Sequence, residues 1–200
     1  MKRLLAVLLS ICLLAMPAGG QAGPGLALSE TRVSKALPLA RPDWPRPDDP
    51  HMVFFLQRSM NRNTVVYAAR YDAEGRLARR PVAAYWRRYE EQNQAKPLKL
   101  VERMFAYGVK TRAVNGGERW QVTFAPLSAL TVEMRQTGPF QSALWARINN
   151  RDYKLIYGFL DLDGGGLVPR VVQLRLYTYD PVSENHVTHL ISVSGGDIQE

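Results

Sequence analysis

Hydrophobic and polar residues alternate along much of the chain. In the segment 119–124, Trp120, Val122 and Phe124 share one side of an extended chain, and polar residues occupy the other. The segment 130–135 repeats this pattern. A period of two is typical of a strand that buries one face and exposes the other to water. The pattern therefore predicts neighbouring antiparallel strands.

Further strands are predicted where short runs rich in β-branched and aromatic residues lie between turn sequences. Asp72–Gly75 and Asn149–Asn150 are such turns. The whole chain predicts a mainly β fold, an antiparallel meander of about nine or ten strands. A sheet of this size closes into a barrel or packs as a sandwich, and the pattern leaves both open. The other predicted strands are 52–57, 64–71, 81–89, 152–162, 168–179 and 186–193.

One segment, 97–107, has a helical pattern instead. It begins with a proline, which suits the first turn of a helix. Leu98, Val101 and Phe105 fall on one helical face. Gly108 follows, and glycine commonly ends a helix in the left-handed conformation. We predict one short helix of about three turns here, ending at Gly108.

The N-terminus has the three parts of a secretory signal peptide. Lys2 and Arg3 precede an apolar run from 4 to 16, and small residues follow up to Ala22. The apolar run is shorter than the roughly 20 residues that a membrane-spanning helix needs. We therefore expect residues 1–22 to be a cleaved signal peptide and the protein to be periplasmic or secreted.

Prolines are concentrated in the next segment, 23–50. Their spacing excludes a helix and favours an extended chain. Trp44 would either anchor this segment on the domain or leave it exposed for a partner, and its large apolar surface favours packing. A single folded β-rich domain is then expected over 51–194, with no transmembrane span after signal cleavage.

Composition excludes several functions. The only cysteine, Cys12, lies in the predicted signal peptide. The mature chain would therefore have no disulfide, no thiol nucleophile and no cysteine metal ligand. The formal net charge is +8, but no run of five basic residues occurs. We expect a solvated basic surface and no nucleic-acid partner.

No motif establishes an active site, a metal or a cofactor. His186 and His189 would point to opposite faces of a strand, and the acidic turn 161–164 lacks the further ligands of a calcium loop. Glu90–Glu91 and Glu102 could supply a carboxylate pair for sugar hydrolysis, but adjacent carboxylates in a loop are more often surface charge. The sequence predicts no catalytic residue, no metal and no cofactor.

Aromatic and arginine side chains are concentrated in and around the segment 82–89. Such side chains can pack as a core, or they can line a cleft in which rings stack and a guanidinium binds an anion. Since this strand has large groups on both faces, it is either covered on both sides or lines an interior. The candidate ligand-binding residues are Arg58, Tyr67, Tyr85, Trp86, Arg87, Tyr89 and Tyr107.

Several segments, in order, resemble a known family. They are VFFLQRS at 53–59, NRNTVVY at 61–67, AYWRRY at 84–89, ERMFAYGVK at 102–110, VPRVVQL at 168–174 and YDP at 179–181. Together they are similar to the domain-of-unknown-function 4833 family of exported bacterial proteins, over His51 to Leu190. The resemblance implies an envelope domain and carries no catalytic residue across.

We therefore predict a non-catalytic binding or interaction module of the bacterial envelope. Its partner would be a small apolar or anionic ligand, a glycan or another envelope protein. Two alternatives stay open: a carboxylate-dependent hydrolase acting on an envelope polymer, and a structural accessory to a neighbouring envelope protein. A cleft with two carboxylates about 5–10 Å apart would favour the hydrolase. A filled interior with an exposed apolar patch would favour protein contact.

Overall fold

The computed structural model describes residues 26–193, except 115, 117, 129 and 165–169. The predicted signal peptide, 1–22, lies outside the described residues. The described part is mainly β with one short helix, as predicted. Asn149 and Asn150 form the predicted tight turn, with φ of 49° and 62°.

The described residues contain twelve strands, one short π-helix at Glu102–Ala106 and a 3-10 turn at Ala125–Leu127. The strands are β1 (Leu26–Ser34), β2 (Met52–Arg58), β3 (Asn61–Tyr71), β4 (Leu77–Arg88), β5 (Gln94–Pro97), β6 (Val109–Val114), β7 (Arg119–Phe124), β8 (Val132–Gly138), β9 (Gln141–Ile148), β10 (Arg151–Asp163), β11 (Arg170–Asp180) and β12 (Asn185–Val193).

All twelve strands belong to one mixed sheet that branches at β10. One edge of β10 pairs with β11 in antiparallel orientation. Its other edge pairs with β9 over Arg151–Lys154 and, in parallel orientation, with β2 over Tyr157–Leu160. One arm, β2–β3–β4–β5, and a second arm, β9–β8–β7–β6, therefore extend from the same strand. The remaining pairs are antiparallel, as the predicted meander requires.

The sheet is not closed into a barrel. The two arms end at β5 and β6 in the strand order. Cα atoms of β4 and β6 approach within 8 Å, yet these strands do not pair. Hydrogen-bonded strands lie about 4.8 Å apart. A gap is left between two free strand edges.

The main core lies between the two arms. The predicted alternation in β7 is confirmed, since Trp120, Val122 and Phe124 are buried and their neighbours are not. Phe124 contacts Tyr67 and Phe54 of the opposite arm, with ring centroids 4.8 and 5.5 Å apart. Aromatic and aliphatic side chains from both arms thus fill the space between them.

A second, smaller apolar cluster lies on the outer face of the sheet. Tyr157 stacks between Phe55 and Tyr177, with centroid distances of 4.9 and 4.1 Å. Phe159 extends the cluster along β10. We call Phe55, Tyr157, Phe159 and Tyr177 the aromatic ladder.

Residues 37–44, which we call the strap, lie over the aromatic ladder. Trp44 packs against Phe159, with ring centroids 5.9 Å apart. The Tyr157 hydroxyl donates to the carbonyl of Pro38 at 2.8 Å and accepts from the amide of Ala40 at 2.9 Å. The described part of the proline-rich segment therefore begins with a strand, β1, which pairs with β12, and continues as this cover.

The structure differs from the prediction for this segment in two respects. The helix is short and lies within 97–107, as predicted, but its three apolar residues are not buried together: Leu98 is buried, while Val101 and Phe105 are 68% and 74% exposed. Gly108 does not have a positive φ. It is needed for close approach, because a Cβ there would lie 1.6 Å from the carbonyl oxygen of Arg103.

Candidate functional site

The predicted site residues divide between the two faces of β4. Trp86 faces the core, and the guanidinium of Arg58 lies 4.6 Å from its ring centroid. Arg58 also donates to the hydroxyl of Tyr107 at 3.1 Å. Tyr67 is fully buried and donates to the carbonyl of Tyr107 at 3.0 Å. Burial raises the pKa of the Tyr67 hydroxyl.

Two members of this inner group were missed by the sequence-based prediction. Arg88 also lies over the Trp86 ring, at 4.7 Å. The carboxylate of Glu102 accepts a hydrogen bond from the Trp86 indole at 3.0 Å and another from the amide of Lys99 at 2.8 Å. Glu102, considered above as a catalytic acid, therefore attaches the short helix to β4.

Tyr85, Arg87 and Tyr89 lie on the opposite face of β4. Tyr85 donates to Asp49 at 2.6 Å, and Arg87 forms an ion pair with Asp48 at 3.1 Å. The hydroxyl of Tyr89 is buried without a hydrogen-bond partner among the described residues, and burial raises its pKa to about 12. The seven predicted residues thus form two packed groups on opposite faces of one strand, and they do not line one cleft.

A cleft does occur in the gap between β4 and β6, which we call the seam (residues 77–84 and 109–114). β5 pairs with β4 only over residues 85–88. The first half of β4 therefore has a strand neighbour on one side only. β6 pairs only with β7. Both edges of the seam expose backbone groups that a ligand can reach.

A bulge in β4 places two arginines at the seam. Val82 pairs with Ala69 and Leu77 with Tyr71, so the four residues between them on β4 face a single residue of β3. Pro81 is one of the four and cannot donate to the ladder, which favours a bulge. The preceding residues, Arg79 and Arg80, are exposed. Neither guanidinium group has an ion-pair or hydrogen-bond partner in the described part of the chain.

The seam contains two open cavities that share Arg79. Each has a volume of about 700 Å³. The upper cavity is lined by Arg79, Arg80, Val82, Val109 and Thr111. The lower cavity is lined by Asp72, Arg76, Leu77, Arg79, Ala113, Gly116, Glu118, Trp120 and Gln136.

The lower cavity contains acids as well as arginines, but Asp72 is already paired. Its carboxylate accepts from the amides of Glu74 and Arg76 and from the Arg76 guanidinium at 2.9 Å. The Arg76 backbone hydrogen bond is the largest cause of the lowered Asp72 pKa. No acidic residue lines the upper cavity among the described residues. Arg79 and Arg80 therefore place positive charge at the upper cavity with no carboxylate in its described lining, whereas Glu118 as well as Asp72 lines the lower one.

A smaller cavity, of about 330 Å³, lies against Trp145 on the second arm. It contains two carboxylates, Glu133 and Asp152, and both pair with Arg135 at 2.6 and 2.7 Å. Hydrogen bonds from Arg147 and then Arg135 lower the pKa of Asp152 to about 2. Both carboxylates are held as ion-pair acceptors, which opposes a role as a general acid.

The two histidines of the last strand have different surroundings. A ring nitrogen of His186 lies 3.1 Å from the carbonyl oxygen of Lys35. His189 is buried and lies 3.2 Å from the Thr178 hydroxyl, and burial lowers its pKa to about 4. Within the described ranges, no group of three or more His, Cys, Asp or Glu residues could hold a metal ion. No helix there is long and apolar enough to span a membrane.

The sequence profile of one family, described as Domain of unknown function (DUF4833), matches residues 54–189. The match extends from β2 to β12 and includes both sides of the seam. No curated protein and no solved structure matches the chain.

Proposed function

The chain belongs to the DUF4833 family, whose description assigns no activity, and we propose from the geometry that it is a non-catalytic binding module of the bacterial envelope. Its ligand would be an elongated anionic molecule, bound in the seam between β4 and β6. We propose a carboxylated oligosaccharide as the ligand class.

The observation that carries this proposal is the unpaired state of Arg79 and Arg80 beside an open cleft. Most of the other arginines near a cavity have carboxylate partners, as Arg76, Arg135 and Arg147 do. A guanidinium forms two parallel hydrogen bonds with a carboxylate, and each charge-assisted bond is about twice as strong as a neutral one. Two adjacent arginines without internal partners leave that capacity for a ligand.

The shape of the seam favours an elongated ligand. Two cavities of about 700 Å³ follow one another along the strand edges and meet at Arg79. Trp120 lines the lower one, where the edge of its largely buried ring is an apolar contact for a sugar. The Gln136 amide, which also lines it, is already bonded to the backbone of Leu77, Gly75 and Gly138. A chain with carboxylates near its middle would contact both cavities and the arginines together.

Binding is favoured over catalysis by the state of the carboxylates. Hydrolysis of a glycosidic bond needs one protonated carboxyl group and one ionised partner. The carboxylate pKa values that depart from their ordinary range, those of Asp72, Glu91, Asp152 and Asp180, are all lowered. A raised carboxyl pKa, which a general acid needs at neutral pH, is not among them.

The envelope location is part of the proposal. It is supported by the signal-peptide pattern at 1–22 and by the absence of cysteine after that segment. Expression in a bacterial host with mass measurement of the exported chain tests it, with cleavage after Ala22 as the expected result. A chain retained in the cytoplasm with its N-terminus intact would contradict it.

Calorimetric titration with tetragalacturonate tests the ligand class, with the neutral maltotetraose as the comparison sugar. We expect the acidic sugar to bind and the neutral one not to. Arg79→Glu/Arg80→Glu should weaken binding about tenfold or more, since two charge-assisted contacts are lost. The matched control is Arg62→Glu/Lys154→Glu, which changes the net charge equally at exposed positions outside the seam.

Equal weakening by both double variants would mean that net charge alone attracts the sugar, and it would overturn the seam as the site. Absence of binding to either sugar would overturn the ligand class and favour a structural accessory. The titrated sugar is then analysed by chromatography. Its shortening by the wild-type protein would establish the hydrolase alternative.

A further inference from the structure

We propose that the short helix docks the protein on the surface of an anionic lipid bilayer. The contact is made by Leu100, Val101, Met104 and Phe105, which we call the helix face. This site is independent of the seam and adds a membrane partner to the sugar-binding function proposed above. The helix covers only residues 100–106, far fewer than the roughly 20 residues of a membrane-spanning helix, so the contact is confined to the interfacial region.

All four side chains of the helix face are large, apolar and exposed. Their exposed fractions are 63% for Leu100, 68% for Val101, 59% for Met104 and 74% for Phe105. Leu100 and Val101 are α-helical and directly precede the π-helix. The spacing i, i+1, i+4, i+5 places all four on one side of the helix. The four side chains therefore form one contiguous exposed apolar patch. Single exposed apolar residues are common on protein surfaces, whereas a contiguous patch indicates an interaction site.

Two cations flank these apolar side chains. Lys99 and Arg103 are both exposed. Neither side chain has an ion-pair partner within the described residues. A short amphipathic segment with large apolar residues on one side and Lys or Arg beside them is typical of helices that lie in the bilayer interface. Each cation near an anionic membrane surface adds attraction.

The attachment of the helix to the sheet keeps its apolar side chains exposed to solvent. Glu102 accepts from the Trp86 indole at 3.0 Å, and the following turn is fixed by the Tyr67 hydroxyl on the Tyr107 carbonyl at 3.0 Å. Gly108 lets the chain leave the helix in contact with the Arg103 carbonyl. Because the polar side of the helix is attached to β4, the helix cannot rotate its apolar face into the core.

Lipid fits this surface better than a protein partner. All four side chains protrude, so a protein would need a cavity shaped to receive them, whereas acyl chains adapt to any shape. Lys99 and Arg103 flank the apolar group, each one residue before an apolar one, and a protein that covered the whole group would desolvate these unpaired cations at a cost. At a bilayer surface they reach lipid phosphates while the apolar side chains enter beneath them.

Vesicle co-sedimentation of the purified chain tests the proposal. Mass spectrometry first determines the N-terminus, which must be identical in all variants. The vesicles contain phosphatidylcholine and phosphatidylglycerol in equal parts, and pure phosphatidylcholine vesicles serve for comparison. Met104→Ser/Phe105→Ser and Lys99→Glu/Arg103→Glu should each reduce partitioning to the anionic vesicles about tenfold or more. Pure phosphatidylcholine should bind the wild type weakly.

Matched controls separate the site from general properties of the surface. Val33→Ser/Val182→Ser removes two equally exposed apolar residues at 64% and 80% exposure, and should partition like the wild type. Arg62→Glu/Lys154→Glu matches the charge change of the cation variant. Unchanged partitioning of the Met104/Phe105 variant, or equal loss in its control, would overturn the proposal. Equal loss in the two charge variants would overturn it as well.

A gain-of-signal variant keeps the test decisive if a loss variant folds poorly. Phe105→Trp places a fluorophore on the helix face, and phosphatidylglycerol with brominated acyl chains should quench it. Val182→Trp should not be quenched by the same vesicles. Equal quenching of both variants, or of neither, overturns the proposal.

Discussion

The described part of the chain contains two apolar surfaces outside the main core that differ in one respect: one is covered by the chain itself and the other is not. The aromatic ladder on the outer face of the sheet is covered by the strap, and Tyr157 at its centre is 1% exposed. The helix face is uncovered, and Phe105 is 74% exposed. Both surfaces contain several large side chains, and both lie beside arginine.

The covered surface serves stability, and the uncovered one is open to a partner. The chain uses its own residues 37–44 to cover the aromatic ladder and fixes them with two hydrogen bonds to Tyr157. For the helix face, the polar contacts of Glu102 hold the apolar side chains away from the sheet. A substitution in the first surface should therefore change the free energy of unfolding, and one in the second should change binding only.

The largest expected effect is at the centre of the covered surface. Tyr157→Ala removes a ring stacked between Phe55 and Tyr177, and should lower the free energy of unfolding by about 3–5 kcal/mol. Tyr157→Phe keeps the ring and loses the two strap hydrogen bonds, at a cost of about 1–2 kcal/mol. Urea denaturation measures both. A cost below about 1 kcal/mol for Tyr157→Ala would mean that the strap and ladder contribute little to stability.

Acid should lower the stability of the buried sheet without weakening vesicle binding by the exposed helix face. Burial lowers the pKa of His189 to about 4 from the ordinary value of 6.5. The unfolded chain therefore takes up a proton between pH 6.5 and 4 that the folded chain does not. The contribution of His189 to the free energy of unfolding is fully present above pH 6.5. It falls by about 3 kcal/mol as the pH drops to 4.

Denaturation curves at several pH values measure this loss, and His189→Leu should flatten it in that window. Asp152→Asn serves as a control: the Asp152 pKa is lowered from 3.8 to about 2, so its contribution to stability is present above pH 3.8 and is lost only below that pH, outside this window. Partitioning of the folded protein to anionic vesicles should persist at pH 5, since no side chain of the helix face is ionisable. An unchanged pH profile in His189→Leu would assign the acid sensitivity to other groups.

The smallest effect on stability is expected at the uncovered surface. Phe105→Ser should change the free energy of unfolding by less than about 0.5 kcal/mol, because the side chain makes little internal contact. Thermal and urea denaturation of this variant, beside Tyr157→Ala, compare the two surfaces directly. A loss above about 1 kcal/mol would mean that Phe105 is packed in solution, and the contrast between the surfaces would fail.

Strands with local signals could be predicted from the sequence, because alternation depends only on neighbours. β7 and β12 lie within one residue of their predicted bounds. β1 and β5 were missed for a physical reason. β5 is a short polar segment that becomes a strand only by pairing with the end of β4, and β1 requires β12, which lies far along the chain.

The candidate site shows the same division between local and distant information. The opposite faces of Tyr85 and Trp86 follow from strand geometry, and the structure agrees. Their partners, Asp49 and Glu102, could not be inferred, because they lie on other segments. The Arg79–Arg80 pair before Pro81 was a visible signal, but its meaning depends on the position of β6 across the seam.

The pairing of β1 with β12 has a consequence for how the protein comes into being. Synthesis starts at the N-terminus, so Leu26–Ser34 is made before the other strands and has no partner until Asn185–Val193 has emerged. The parallel pair of β2 and β10 must likewise wait for about 100 residues of chain to be made. Closing such long loops is slow. The sheet therefore cannot be completed before β12 has been made, and a nascent chain keeps its first strand, β1, unpaired until then.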